Sequence, residues 1–218
     1  MASGGLQLLV LAAVAVFLVV RLYSVLGTRD GFEGPQEKNL DRKPSVKFDV
    51  IEGGGNDADI SDHTDPDGPT GQALLAMKKA EPSFSVTEFL SGARQAYEMI
   101  VMAFENGDQK FLQKFLAPEI FERFSSVIVA RRDQGLTVDA KFIGVREISL
   151  KSAHFDEAEK EGEVTIRFVG ELTSVVKDAD GKTVEGSADV IKQQTAVWTF
   201  ARLMGTNNPN WLLVATDE

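Results

Sequence analysis

At Gly135 the hydrophobic period of this chain changes from about 3.6 residues to about 2. Before it, Phe89, Leu90, Ala93, Tyr97, Ile100, Val101 and Phe104 recur at helical spacing. After it, "EVTIRFVGELTSVV" sets Val164, Ile166, Phe168 and Leu172 against Thr165, Arg167, Glu171 and Thr173. Helical signals therefore come first and strand signals follow, which is an α+β layout: helices packed on one face of a curved antiparallel sheet.

The helical half is well punctuated. "GQALLAMKKAEP" predicts a short helix stopped by Pro82, with Lys78-Lys79 at its end. Such a helix either packs on the domain, the favoured reading, or lies on a bilayer surface. Ser85 and Glu88 form a capping box, and Phe84 and Phe89 a hydrophobic staple, at the start of the next helix. Asn106-Gly107 ends it, and Asp108 caps a helix with Phe111, Leu112, Phe115 and Leu116 inward. Pro118 opens a third, carrying Ile120, Phe121, Phe124, Val127 and Ile128 inward. Arg131-Arg132 suit the negative end of its dipole, or the grip of an acidic partner.

In the strand half, Asp180-Gly181 predicts a hairpin, and further strands are expected within Thr137–Phe155, near Val190–Arg202 and over Asn210–Thr216. The only two tryptophans lie on the last two of these. Trp198 and Phe200 share a face of one strand, Trp211 and Leu213 a face of its neighbour, and the two indoles are expected to meet across the hairpin. Core is the first reading for rings of this size. The second is an apolar pocket between helices and sheet, lined by Phe121, Phe124, Ile128, Trp198, Phe200 and Trp211, and both hold where the core is incompletely filled.

Ahead of the domain, residues 1–29 read as a transmembrane anchor. Thirteen apolar residues run unbroken from Leu8 to Val20, including Leu9, Leu11, Phe17 and Leu18, within an oily stretch from Leu6 to Leu26. As a helix this stretch extends about 31 Å, enough to cross a bilayer core. No basic n-region precedes it, so an uncleaved anchor is preferred to a signal peptide. Arg21, Arg29, Lys38, Arg42 and Lys43 all follow it. Positive residues stay inside, so the N-terminus is expected outside and the domain in the cytoplasm.

Residues 30–69 read as a flexible tether, with eleven acids against four bases, six glycines and four prolines. "DADISDHTDPDG" mimics a calcium loop, but Asp62 stands where glycine is needed and Gly68 where glutamate is needed. "EGGGND" lacks the lysine of a phosphate loop. His63 falls in this tether and is expected to be solvated. With a net charge of −10 the chain repels phosphate backbones, which argues against nucleic acid as a partner. Having no cysteine, it has no disulfides and no thiol chemistry.

"FLSGARQAYEMIVMAFENGD", "FLAPEIFERF", "VTIRF", "VWTFAR" and "PNWLL" stand in the order found in the Tim44-like family, and residues 70–218 resemble that family's domain. The family includes the mitochondrial inner-membrane import adaptor and alpha-proteobacterial relatives. The resemblance implies a cone of nuclear-transport-factor-two or cystatin-like type with a large apolar pocket. It also implies an adaptor role at a protein-translocating inner membrane, with affinity for anionic lipid, mapped here to Gln72–Lys79 and the helix after it. The span and acidic tether resemble the bacterial, membrane-anchored members, where the mitochondrial adaptor instead has a long chaperone-engaging region.

The expected function is a single-pass adaptor of a bacterial inner membrane, holding a chaperone or translocase component near the bilayer. An apolar-ligand or lipid-binding module is the alternative. An isomerase-like enzyme built on His154 is disfavoured: no nucleophile elbow, zinc spacing or nucleotide loop is present, and neither a cofactor nor a metal is expected. The oligomeric state is not encoded in any motif.

Overall fold

The backbone N–H groups of Val86 and Thr87 would be orphans at the start of a helix, and an aspartate 27 residues upstream takes them both. In the computed structural model, which describes residues 57–206 and 208–217, the Asp59 carboxylate accepts from Val86 N at 2.7 Å and Thr87 N at 2.9 Å. Asp59 lies in a one-turn helix, α1 (Ala58–Ser61), and Lys78 Nζ sits 2.8 Å from it and 2.6 Å from Asp57. Lys78 belongs to α2 (Pro69–Ala80), whose apolar residues Leu74 and Met77 are fully buried. That helix therefore turns its apolar side into the domain, as the favoured reading had it.

This arrangement corrects one expectation. Residues 57–68 were assigned to a solvated tether, yet Ile60 is fully buried and His63 Nε2 shares a hydrogen bond with Thr87 Oγ1 at 3.1 Å. The segment folds because its acids find cationic and N–H partners on α2 and α3. Gly71 lets it lie close, since a Cβ there would stand 2.4 Å from the Asp65 carbonyl oxygen. The anchor residues Leu8, Leu9, Leu11, Phe17, Leu18 and Val20, and the tether up to residue 56, lie outside the described residues. Among those described, no helix is long and apolar enough to cross a membrane.

Helix α3 (Val86–Glu105) starts as its capping box specifies, with Ser85 Oγ accepting from Glu88 N at 3.2 Å. The staple rings Phe84 and Phe89 lie 6.3 Å apart. Asp108 caps α4 (Gln109–Phe115), accepting from Phe111 N at 3.0 Å, and Pro118 opens α5 (Pro118–Asp133). Val127, expected inward on α5, is 42 % exposed.

Four strands follow in a sheet of order β1-β2-β3-β4, every neighbour antiparallel: β1 (Thr137–Asp156), β2 (Glu161–Lys177), β3 (Thr183–Leu203) and β4 (Leu212–Asp217). The fold class is thus α+β, as expected. Val164, Ile166 and Phe168 of the central strand are fully buried against Tyr97 and Ile100 of α3. Tyr97 stacks on Phe168 at 4.6 Å and contacts Trp198 at 4.8 Å. Its close approach requires Gly170, where a Cβ would stand 2.7 Å from the tyrosine ring.

Candidate functional site: an aromatic cleft at the end of the sheet

Where β3 ends and β4 begins, the sheet opens towards the N-terminal half of α3. The segment preceding β4 sets Trp211 against the first turn of that helix: its ring lies 4.6 Å from Phe89 and 5.9 Å from Phe84. Phe200 of β3 meets Phe89 edge-on at 6.2 Å. Together with Ala93, Ile100 and Phe115, these rings line a cleft of about 360 Å³. Gly92 leaves one wall bare, because a Cβ there would meet nothing within 4 Å.

The polar part of the cleft is concentrated at Arg202. Its guanidinium lies 5.0 Å above the Trp211 ring and donates from Nη2 to Glu81 Oε1 at 2.7 Å. Glu81 Oε2 also accepts from the Gly205 N–H at 2.9 Å. Burial alone would raise the Glu81 carboxyl, but the Gly205 N–H and Arg202 outweigh it and hold the group below its ordinary value. Arg202 Nε is buried and has no hydrogen-bond partner among the described residues. The cleft thus offers stacked rings, one fixed ion pair and a spare N–H donor, a surface suited to holding an apolar group that carries an acceptor.

The residues expected to line one pocket are distributed over three places. Trp211 and Phe200 line the aromatic cleft, whereas Trp198, 6 % exposed, is core among Tyr97, Phe168 and Phe200. The two indoles do not stack; Phe200 and Phe89 connect them. The reason is register, because Phe200 faces Leu213 across an irregularity in the ladder while Trp198 faces Thr216. Phe121 and Phe124 pack on the core from α5, Phe124 edge-on to Phe104 at 5.0 Å.

Ile128 lines a second, more polar cleft of about 530 Å³ at the opposite end of α3, with Phe104, Glu105 and Arg131. There Arg131 Nη1 lies 3.4 Å from Glu105 and its guanidinium 4.6 Å above the Phe104 ring. Burial pushes the Glu105 carboxyl above its ordinary value even with Arg131 beside it. Sequence reasoning missed Phe84, Phe89, Glu81 and Arg202 as cleft residues. The staple signal had found the first two, but as helix-capping residues.

Neither histidine lines the aromatic cleft: His154 is exposed on β1 opposite Glu163, and His63 is bound to Thr87. No metal-type cluster of acids and histidines occurs among the described residues.

These features define a class, a one-sheet α+β domain with a ligand-sized aromatic cleft between its first long helix and the last hairpin. Residues 70–218 match the Tim44-like domain, and the chain belongs to the Tim44-like domain family. It is 22% identical over 130 residues to the mitochondrial import inner membrane translocase subunit TIM44-1 of Arabidopsis thaliana, covering 60% of this chain and 27% of that protein. It is 26% identical over 141 residues to the probable mitochondrial import inner membrane translocase subunit tin-44 of Caenorhabditis elegans, covering 63% and 32%. The matched region thus spans about a third or less of those relatives. Among solved structures, the intermembrane space region of the chloroplast protein ARC6 aligns with a TM-score of 0.37 at 12% identity, over 57% of this chain and 94% of that one.

Proposed function

We propose that this chain is a membrane-held adaptor that keeps a protein-translocation partner, a chaperone or a translocase component, close to an inner membrane. The observation that carries the proposal is the family match over residues 70–218, to relatives named as inner-membrane translocase subunits. Leu6–Leu26 supplies the anchor in this reading, in a bacterial inner membrane with the N-terminus outside and the domain cytoplasmic. Residues 30–56 supply the tether. A flexible tether of that length has a root-mean-square reach of about 30 Å, which concentrates the domain at the bilayer surface. Binding, not catalysis, fits a cleft whose only charged pair is the mutually satisfied Glu81 and Arg202, with Glu88 at its side.

A photocrosslinking side chain in place of Met99, which lines the cleft and is 42 % exposed, tests this in intact membranes. The adaptor reading expects capture of a translocation component or chaperone. Capture of unrelated abundant proteins alone contradicts it.

The volume and aromatic lining of the cleft support a second reading, an apolar-ligand or lipid site. Bilayers carrying an acyl-chain photoprobe should label the peptide containing Trp211, and Gly92→Trp, which fills the bare wall, should block that labelling. Labelling elsewhere on the domain, unaffected by Gly92→Trp, contradicts it.

A further inference from the structure

Strand β3 is paired on both sides only over part of its length. Strand β4 covers Val197 to Ala201, so along Thr183–Ala196 the outer edge of β3 meets no strand among the described residues. Nor does any layer cover this stretch, since every side chain from Thr183 to Thr195 is exposed except the half-buried Ser187. Three large apolar residues stand out on it: Val184, Val190 and Ile191, at 52%, 55% and 54% exposure. A long bare edge with apolar side chains is a template for pairing with another strand.

The opposite edge of the sheet is guarded by comparison. Strand β1 carries three register shifts and the basic residues Lys141, Arg146 and Lys151, and Arg94 donates to its Val145 carbonyl at 2.7 Å. Bulges and edge lysines are ways in which sheets avoid unwanted pairing. On β3 the irregularity acts the other way. Leu172 pairs with Lys192 and Ser174 with Ser187, so Thr173 alone stands opposite the four residues Ala188–Ile191, which are displaced from the β2 ladder. Gly186 fixes that displacement, being at φ +82° with its absent Cβ only 2.0 Å from the Ser174 carbonyl oxygen.

The displaced residues read Asp189-Val190-Ile191-Lys192, a sequence complementary to itself when reversed. We propose that the outer edge of β3 is a homodimer interface, in which two copies pair antiparallel about a two-fold axis between Val190 and Ile191. In that register Val190 faces the partner's Ile191, and Asp189 faces the partner's Lys192, each contact occurring twice. A second copy is favoured over an unrelated strand by this charge complementarity: a generic apolar strand would leave Asp189 and Lys192 without opposite charges. Within its own chain Lys192 is held only by Glu185 at 3.6 Å, both side chains well exposed, so it exchanges partners readily. The interface is small and the association correspondingly weak in dilute solution, but two anchored copies meet at raised effective concentration.

The absence of cysteine makes the test direct. Two differently tagged full-length copies, one Val190→Cys and one Ile191→Cys, are co-expressed and their isolated membranes treated with a mild oxidant. The proposal expects a disulfide between the two tags, because directly opposite positions bring Cβ atoms within bonding range. Adding Asp189→Lys to both copies should lower the yield about tenfold by setting like charges opposite each other, and adding Lys192→Asp as well should restore it. Copies carrying Lys141→Cys on the β1 edge should not trap. The proposal is overturned by no trapping in folded protein, by trapping insensitive to Asp189→Lys, or by loss that the double swap does not rescue. Equal trapping at Lys141→Cys, or disulfides to a different protein in place of the second copy, overturns it too.

Discussion

Asp59 has four hydrogen-bonded partners from three parts of the chain: Lys78, Ser85 and the backbone N–H groups of Val86 and Thr87. Burial alone would raise its carboxyl, but hydrogen bonds from Lys78, Thr87 and Val86 outweigh this and hold it far below the usual carboxylate range. A carboxyl depressed in the folded state contributes stability above its unfolded value near 3.9, and that stability is lost as pH falls from there towards the folded value. Asp59→Asn should therefore cost about 1–3 kcal/mol at pH 7, in denaturant titrations, and flatten the decline of stability below about pH 4. An unchanged acid limb would assign that decline to other carboxylates. Tyr97 gives the opposite case. Burial pushes its phenol up to about 12, and its hydroxyl has no partner among the described residues. Tyr97→Phe keeps the stack on Phe168 and removes an unpaired polar atom, so stability should stay level or rise by up to about 1 kcal/mol.

Elements were legible where one face of each is buried. The capping box at Ser85, the cap at Asp108, the proline at the start of α5 and the alternation of β2 all predicted what the structure contains. Strand β3 was found only from Val190 because Thr183–Thr195 buries neither face, leaving no period to read. The segment 57–68 looked like a tether because its composition is acidic, while its partners at Lys78, Val86 and Thr87 are remote in sequence. The cleft was half legible: helical spacing shows which face of α5 turns inward, but not that Phe121 and Phe124 pack away from Trp211 while Phe84 and Phe89 meet it. Two predictions belong at this scale. Gly92 is an exposed glycine inside α3 with free space around it, so Gly92→Ala should raise stability by about 0.5–1 kcal/mol. A lower melting temperature would show that its bare surface is needed for packing. A chain beginning at residue 70 loses Ile60 and the Asp59 cap, and should be about 3–4 kcal/mol less stable than one beginning at residue 57. Equal thermal midpoints would remove residues 57–68 from the folding unit.

At the scale of the whole molecule, charge and hydropathy separate the chain into parts with different tasks. The first 29 residues hold two arginines and no acid, and residues 30–69 carry a net charge of −7, before a domain that puts its aromatic cleft beside Ser85, close to where the described chain begins. In the proposed adaptor the anchor sets location, the tether sets reach and the cleft or the β3 edge makes contact. This division requires that partner capture depend on the anchor while folding does not. The measurement that bears on it most directly is proximity labelling from the C-terminal end of the full chain in living cells, alongside a version lacking residues 1–29. The proposal predicts that cytoplasmic translocation or chaperone proteins are labelled by the full chain and lose most of that label when the anchor is removed. Label confined to proteins on the outer side of the membrane, or an identical set of labelled proteins from both versions, would contradict it.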